Sequence, residues 1–216
     1  MKIALVGASG YVGTSLLNEL LERGHQVTAI ARDTTKITTQ HPNLTVKESD
    51  VNAVDATAEV LQGHDAVVST FNAGWTNPNL YQDFLQGSES IQEATRRSGV
   101  KRLLVVGGAG SLEIAPGLQL VDSPDFPEEY KAGASSSRDY LAKLRQEQEL
   151  DWTFLSPAIM MHPGISGRTG QFRIGTEQPV FDEQGQSQIS AEDLSVALAD
   201  ELEKPQFSRS RFTVGY

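Results

Sequence analysis

The chain of 216 residues contains no cysteine. Disulfides, thiolate nucleophiles and thiolate metal sites are therefore excluded. Cations are scarce as well: 18 Lys and Arg stand against 28 Asp and Glu, a formal net charge of −10. That sign opposes the sequence-independent attraction to phosphate, which argues against nucleic acid or an anionic membrane as partner. No run of about 18 apolar residues occurs, and residues 1–6 are too short and poorly flanked for a signal peptide, so a soluble, cytoplasmic protein is expected. Only four histidines occur. His25, His41 and His64 show no paired ligand spacing, so no metal site is expected. Without repeats, low-complexity tracts or a composition break, residues 1–216 read as a single domain.

What is present is an alternation. Strand-like apolar runs recur at residues 2–6, 26–31, 44–47, 65–70, 102–106 and 152–155, with helical patterns at 11–23, 53–61, 80–98 and 129–150 between most of them. Gly24, Gly63 and Gly99 follow three of these helices as stop signals. Such alternation implies βαβ units and a doubly wound, mainly parallel α/β sheet of the Rossmann type. After Ser156-Pro157 the pattern changes, and short strands are expected at 179–181 and 187–189. Residues 157–189 read as a small cap over the carboxyl edge of the sheet. Ser190-Ala-Glu-Asp193 is a capping box that opens a last helix to about Lys204, and 211–214 makes a final strand.

Between the first strand and the first helix stands Gly7-Ala8-Ser9-Gly10-Tyr11-Val12-Gly13. Gly7 permits a sharp turn, Gly10 lets backbone N–H groups approach a pyrophosphate, and Gly13 lets the helix pack closely on the strand. The helix N-terminus adds free donors and a positive dipole end, so this stretch is a candidate dinucleotide site. Ligands of such sheets bind beyond the carboxyl ends of the strands. Arg32 follows the second strand, where an arginine pairs with a 2′-phosphate; NADP(H) is therefore preferred, with NAD(H) the alternative because Asp33 is adjacent. Asp50 and Val51 follow the third strand and suit the adenine, although Asp50 equally suits a helix N-cap. Phe71, Asn72 and Ala73 follow the fourth strand, near the nicotinamide-side ribose. Gly107, Gly108 and Gly110 follow the fifth and suit close backbone approach.

The arrangement resembles the short-chain dehydrogenase/reductase superfamily, and most specifically its atypical branch of NmrA-like proteins and NADH-flavin reductases, including biliverdin reductase B. Gly7–Gly13, Asp50-Val51, Asn72-Ala-Gly74, Asp151-Trp-Thr-Phe-Leu-Ser-Pro157 and the tail from Ile189 to Val214 carry the resemblance. It implies a sheet of about seven strands and NAD(P)(H) contacts at the glycine motif, Arg32, Asp50-Val51 and Asn72-Ala73. The superfamily's Tyr with Lys four residues later, which exchanges a proton with the substrate, has no counterpart. Tyr130 is followed at that spacing by Ala134 and Tyr140 by Leu144.

Hydride transfer to a flavin, quinone or related conjugated acceptor delocalises the new charge and does without a strong acid. Phe71, Trp75, Leu118, Leu120, Met160 and Met161 are candidate walls of an apolar slot for such an acceptor. Biliverdin reductase B-like proteins have a serine and a histidine in places similar to Ser111 and His162, which are the candidate catalytic residues. The leading expectation is an NADPH-dependent reductase, as a monomer or homodimer. The alternatives are an NmrA-like regulator that senses NADP(H) and a nucleotide-sugar epimerase or dehydratase.

Overall fold

In the computed structural model, which describes residues 1–216, the first half of the chain alternates as expected: β1 (Lys2–Val6), α1 (Tyr11–Glu22), β2 (Gln26–Ala31), β3 (Leu44–Glu48), α2 (Val54–Leu61), β4 (Ala66–Ser69) and α3 (Leu80–Ser98). Then come β5 (Arg102–Val106), a small hairpin β6 (Glu113–Ala115) and β7 (Leu118–Gln119), and α4 (Glu128–Leu144). The last elements are β8 (Asp151–Ser156), β9 (Arg173–Gly175), α5 (Ala191–Glu203) and β10 (Ser210–Gly215). Eight strands form one sheet in the order β3-β2-β1-β4-β5-β8-β10-β9. All pairings are parallel except that of β9 with β10.

The continuous apolar character of the central strands follows from burial on both faces. On one face Leu16, Leu17 and Leu20 of α1 pack with Leu194, Leu198 and Leu202 of α5 over β1 and β4. On the other, α2, α3 and α4 contribute Leu61, Phe84, Ile91, Tyr140 and Leu144. Each such side chain, once buried, contributes about 1.5–3 kcal/mol. The chain winds outward from β1 to β3, then returns across β1 to β4. That reversal opens a crevice at the carboxyl ends of β1 and β4, where the glycine turn lies.

Several sequence expectations are corrected here. The helix expected over 129–150 ends at Leu144, because the Glu147 carboxylate accepts the N–H groups of Glu149 (2.6 Å) and Leu150 (3.2 Å) and turns the chain into β8. Residues 179–181 and 187–189 are not strands; Gln188 makes only an isolated bridge to Met160. The eighth strand is instead Arg173–Gly175, so segment 157–189 is partly built into the main sheet. Its residues 167–170 are strapped down. Ser190 Oγ donates to the Gly167 carbonyl, Asp193 accepts the Thr169 and Gly170 N–H groups, and Arg168 pairs with the buried Glu19 of α1. Only half of the expected capping box forms: Ser190 Oγ accepts from the Asp193 N–H at 3.0 Å, whereas the Ser190 N–H donates to the Tyr216 hydroxyl at 3.3 Å and the Asp193 carboxylate is taken by Thr169, Gly170 and Tyr216.

Candidate functional site

The turn after β1 is tightly determined. Gly7 has φ +81°, and a Cβ there would lie 2.8 Å from the Thr70 carbonyl oxygen. A Cβ on Gly13 would lie 2.1 Å from the Gly7 carbonyl oxygen, so α1 packs directly on the turn. Thr70, just beyond β4, donates through Oγ1 to the carbonyls of Val6 (3.0 Å) and Gly7 (3.1 Å). Sequence reasoning missed this residue; its only signal is a hydroxyl at the strand end facing the crevice. Gly10 is the N-cap of α1, in extended conformation, and no side chain caps the helix. Ala8 and Gly13 are buried, Ser9 and Val12 half-buried, and Gly10 and Tyr11 exposed. An uncapped N-terminus with an exposed glycine presents N–H donors and the positive dipole end to an anion.

Beyond β2, Arg32 is exposed and enters none of the fold's ion pairs. The neighbouring Asp33 is turned into its own loop, where it accepts from the Thr35 N–H (3.1 Å) and hydroxyl (2.5 Å). These bonds, with Lys36 3.7 Å away, lower the Asp33 pKa. Beyond β3, Asp50 is exposed and accepts from the Asn52 N–H at 3.0 Å, while Val51 is buried in the core. Asn72 is exposed and accepts from the Gly74 N–H at 2.7 Å, with Ala73 half-buried beside it. Phe71 departs from expectation. Its ring stacks on Phe84 at 6.1 Å and lies over Gly87 of α3, so its side chain packs into the helix layer instead of walling a slot.

The glycines after β5 have a packing reason that the sequence did not reveal. A Cβ on Gly107 would meet the Phe154 ring at 1.8 Å, and one on Gly110 would meet the Ala134 Cβ at 2.7 Å. Gly108 faces Ser137 of α4, whose buried hydroxyl has no hydrogen-bond partner.

Ser111 and His162 are not brought together. Ser111 is buried, and its hydroxyl accepts from the Arg211 guanidinium of β10 at 3.0 Å. Burial lowers the Arg211 pKa, against the opposing pull of its ion-pair partner Glu177. The hydroxyl of this candidate catalytic residue is thus engaged by a buried cation. His162 is exposed, and its Nδ1 accepts from the Gly164 N–H at 3.1 Å. Tyr140 lies in the core, where burial pushes its hydroxyl far above the ordinary tyrosine range. It is closed to any substrate. Met161 packs against the core beneath α1 and α5, whereas Leu118, Leu120 and Met160 are half-buried. No group of three His, Cys, Asp or Glu is placed to hold a metal ion, and no helix is long and apolar enough to cross a membrane.

A family described as NAD(P)H-binding matches residues 7–205. The chain belongs to this family. Within the wider superfamily it is an atypical, NmrA-like short-chain dehydrogenase/reductase. YwnB of Bacillus subtilis (strain 168) is 40% identical over 216 residues, covering 99% of this chain and 98% of that one. Among solved structures, a "putative epimerase" from Bacteroides thetaiotaomicron is 44% identical with TM-score 0.92, covering 100% of this chain and 96% of that one. A "putative NADH-flavin reductase" from Streptococcus pneumoniae is 35% identical with TM-score 0.87, covering 100% and 99%. The glycine turn fits the nicotinamide cofactor that this family binds: Gly10 is exposed at the uncapped start of α1, and a Cβ there would meet only the Gly7 carbonyl oxygen, at 3.3 Å.

Proposed function

We propose that the protein is an NADPH-dependent reductase of conjugated acceptors of the flavin or quinone class. The observation that carries this reading is that α4 bears no acid–base pair: Tyr140 is buried in the core, and the residue four positions after the exposed Tyr130 is Ala134. A site so built orients its reactants but gives a localised alkoxide no strong acid, which suits an acceptor that delocalises charge. Bound NADPH would supply the hydride, and water the proton, that such an acceptor takes up. The name of the Streptococcus relative agrees with a flavin acceptor, although it gives the donor as NADH.

On this reading the N–H groups of α1's first turn, with Gly7 to Gly13 shaping their approach, hold the pyrophosphate. Asp50 and Val51 border the adenine, and the backbone of Phe71, Asn72, Ala73 and Gly107 borders the nicotinamide ribose. Arg32, free of partners, takes the 2′-phosphate, whereas Asp33 is engaged by Thr35 and so is poorly placed to accept from the 2′-hydroxyl of NAD(H). An epimerase, as the Bacteroides relative is named, would need a proton carrier on α4. Tyr140 is buried, and Ala134 stands where a lysine would activate Tyr130.

The test is steady-state NADPH oxidation with riboflavin, FMN and several quinones, alongside aliphatic ketones and UDP-sugars. Turnover confined to the conjugated acceptors is expected. Tight NADPH binding with no turnover of any of them would instead favour an NADP(H)-sensing regulator.

A further inference from the structure

Trp75 is the most exposed of the large hydrophobic side chains, at 60%. It stands on the loop that leads from β4 to α3, and its ring meets Tyr130 of α4 edge-on, with centroids 5.8 Å apart and planes at 88°. Gly133 makes room for it: a Cβ there would lie 2.7 Å from Cζ3 and 3.1 Å from Cη2 of the indole. The ring is thus seated on backbone and buttressed by a second aromatic while over half of its surface remains open. An indole so held has little conformational freedom to lose on binding, which is the condition for an effective stacking platform.

The seat lies on the same helix face as the end of β5. Tyr130, Gly133, Ala134 and Ser137 recur at helical spacing on α4, and Gly110 packs on Ala134 while Gly108 packs on Ser137. Ala134 and Ser137 are buried beneath those glycines, whereas Tyr130 and Trp75 are exposed. The face is therefore closed beside β5 and offers an open aromatic plane at its outer end, where a planar fused-ring system can stack.

We infer that Trp75, held by Tyr130 and Gly133, is the residue that selects the acceptor, by stacking on a planar fused-ring system of the isoalloxazine type. This inference rests on the reductase reading for its location and narrows the acceptor class from conjugated compounds in general to fused-ring ones. Stacking of a planar base on an aromatic side chain is worth about 1–3 kcal/mol, so its loss should weaken acceptor binding by about tenfold or more.

The experiment compares wild type with Trp75→Ala, Trp75→Phe and Gly133→Ala. Riboflavin binding to the full chain is measured by quenching of flavin emission, and KM and kcat are measured with NADPH in excess. Trp75→Ala should raise the riboflavin Kd and KM about tenfold with kcat changed far less, and the NADPH Kd should stay within twofold. Trp75→Phe should restore most of the affinity. Gly133→Ala, which pushes the indole off its seat, should resemble Trp75→Ala without removing the ring. The exposed position of Trp75 keeps the fold out of the result. If Trp75→Ala leaves Kd and KM within twofold, or if Phe restores nothing, the stacking role is overturned while the reductase reading stands. Flavin that binds in a Trp75-dependent way but is never reduced upholds the stacking role and overturns the reductase reading.

Discussion

Gly10 and Gly13 stand three residues apart in one turn, yet a methyl group at each meets different surroundings. At Gly13 it would lie 2.1 Å from the Gly7 carbonyl oxygen, a backbone atom that Thr70 and the end of β1 hold in place. At Gly10 it would meet only the same oxygen at 3.3 Å, which a shift of a few tenths of an ångström relieves. Gly13→Ala should therefore destabilise the fold by several kcal/mol, in the range of severe backbone and packing conflicts. Gly10→Ala should leave stability within about 1 kcal/mol and still weaken NADPH binding about tenfold or more, because the methyl group stands where the pyrophosphate approaches. Urea unfolding paired with calorimetric titration separates the two, and equal effects of both variants on both measurements would refute this division of roles. The packing role of Gly13 was legible in the sequence because the atom it packs on, the Gly7 carbonyl oxygen, lies only six residues away. That of Gly107 was not, since the side chain requiring it is Phe154, 47 positions away on a strand whose register only the fold sets. The surroundings of Ser111 were hidden for the same reason: its partner Arg211 comes from the last strand.

At the scale of elements, Glu147 ties together three of them. It accepts from Gln92 of α3 at 2.7 Å, pairs with Arg96 of the same helix, and receives the N–H groups that turn α4 into β8. Burial opposes its charge, but hydrogen bonds from Gln92, the Glu149 N–H, Arg96 and the Leu150 N–H outweigh burial and hold its pKa at about 2. A carboxylate with a depressed folded pKa contributes stability above its unfolded pKa and loses that contribution as pH falls through the folded value. Glu147→Gln should thus cost at most about 3 kcal/mol at pH 7, and the gap from wild type should close between about pH 4.5 and pH 2. Urea midpoints at pH 7, 5 and 3 check this, and a gap independent of pH would contradict it. The element pattern itself was largely legible, because parallel strands buried on both faces and amphipathic helices leave strong local signals. β9 left none. Arg173–Gly175 looks like loop and becomes a strand only because β10 offers its edge, whereas Val180 is buried against Gly175 and Gly215 without joining a ladder.

The molecule as a whole gathers its candidate cofactor contacts from the turns after β1, β2, β3, β4 and β5, so a cofactor bound across them would couple most of the sheet to one ligand. A ligand that binds only the folded state adds about 2.7 kcal/mol of stability at a hundred times its Kd. For a chain of 216 residues that corresponds to a rise in Tm of roughly 5–10 °C. NADPH should produce such a rise and NADH at the same concentration a smaller one, because the unpaired Arg32 gains a partner only from the 2′-phosphate. A charge-assisted pair of this kind is worth about 1.5–3 kcal/mol. Arg32→Ala should therefore bring the NADPH shift down to the NADH level and leave the NADH shift unchanged. The exposed position of Arg32 means that the variant's own Tm without cofactor should match wild type. Equal shifts from the two cofactors in wild type, or an NADPH shift that survives Arg32→Ala, would show that Arg32 does not read the 2′-phosphate.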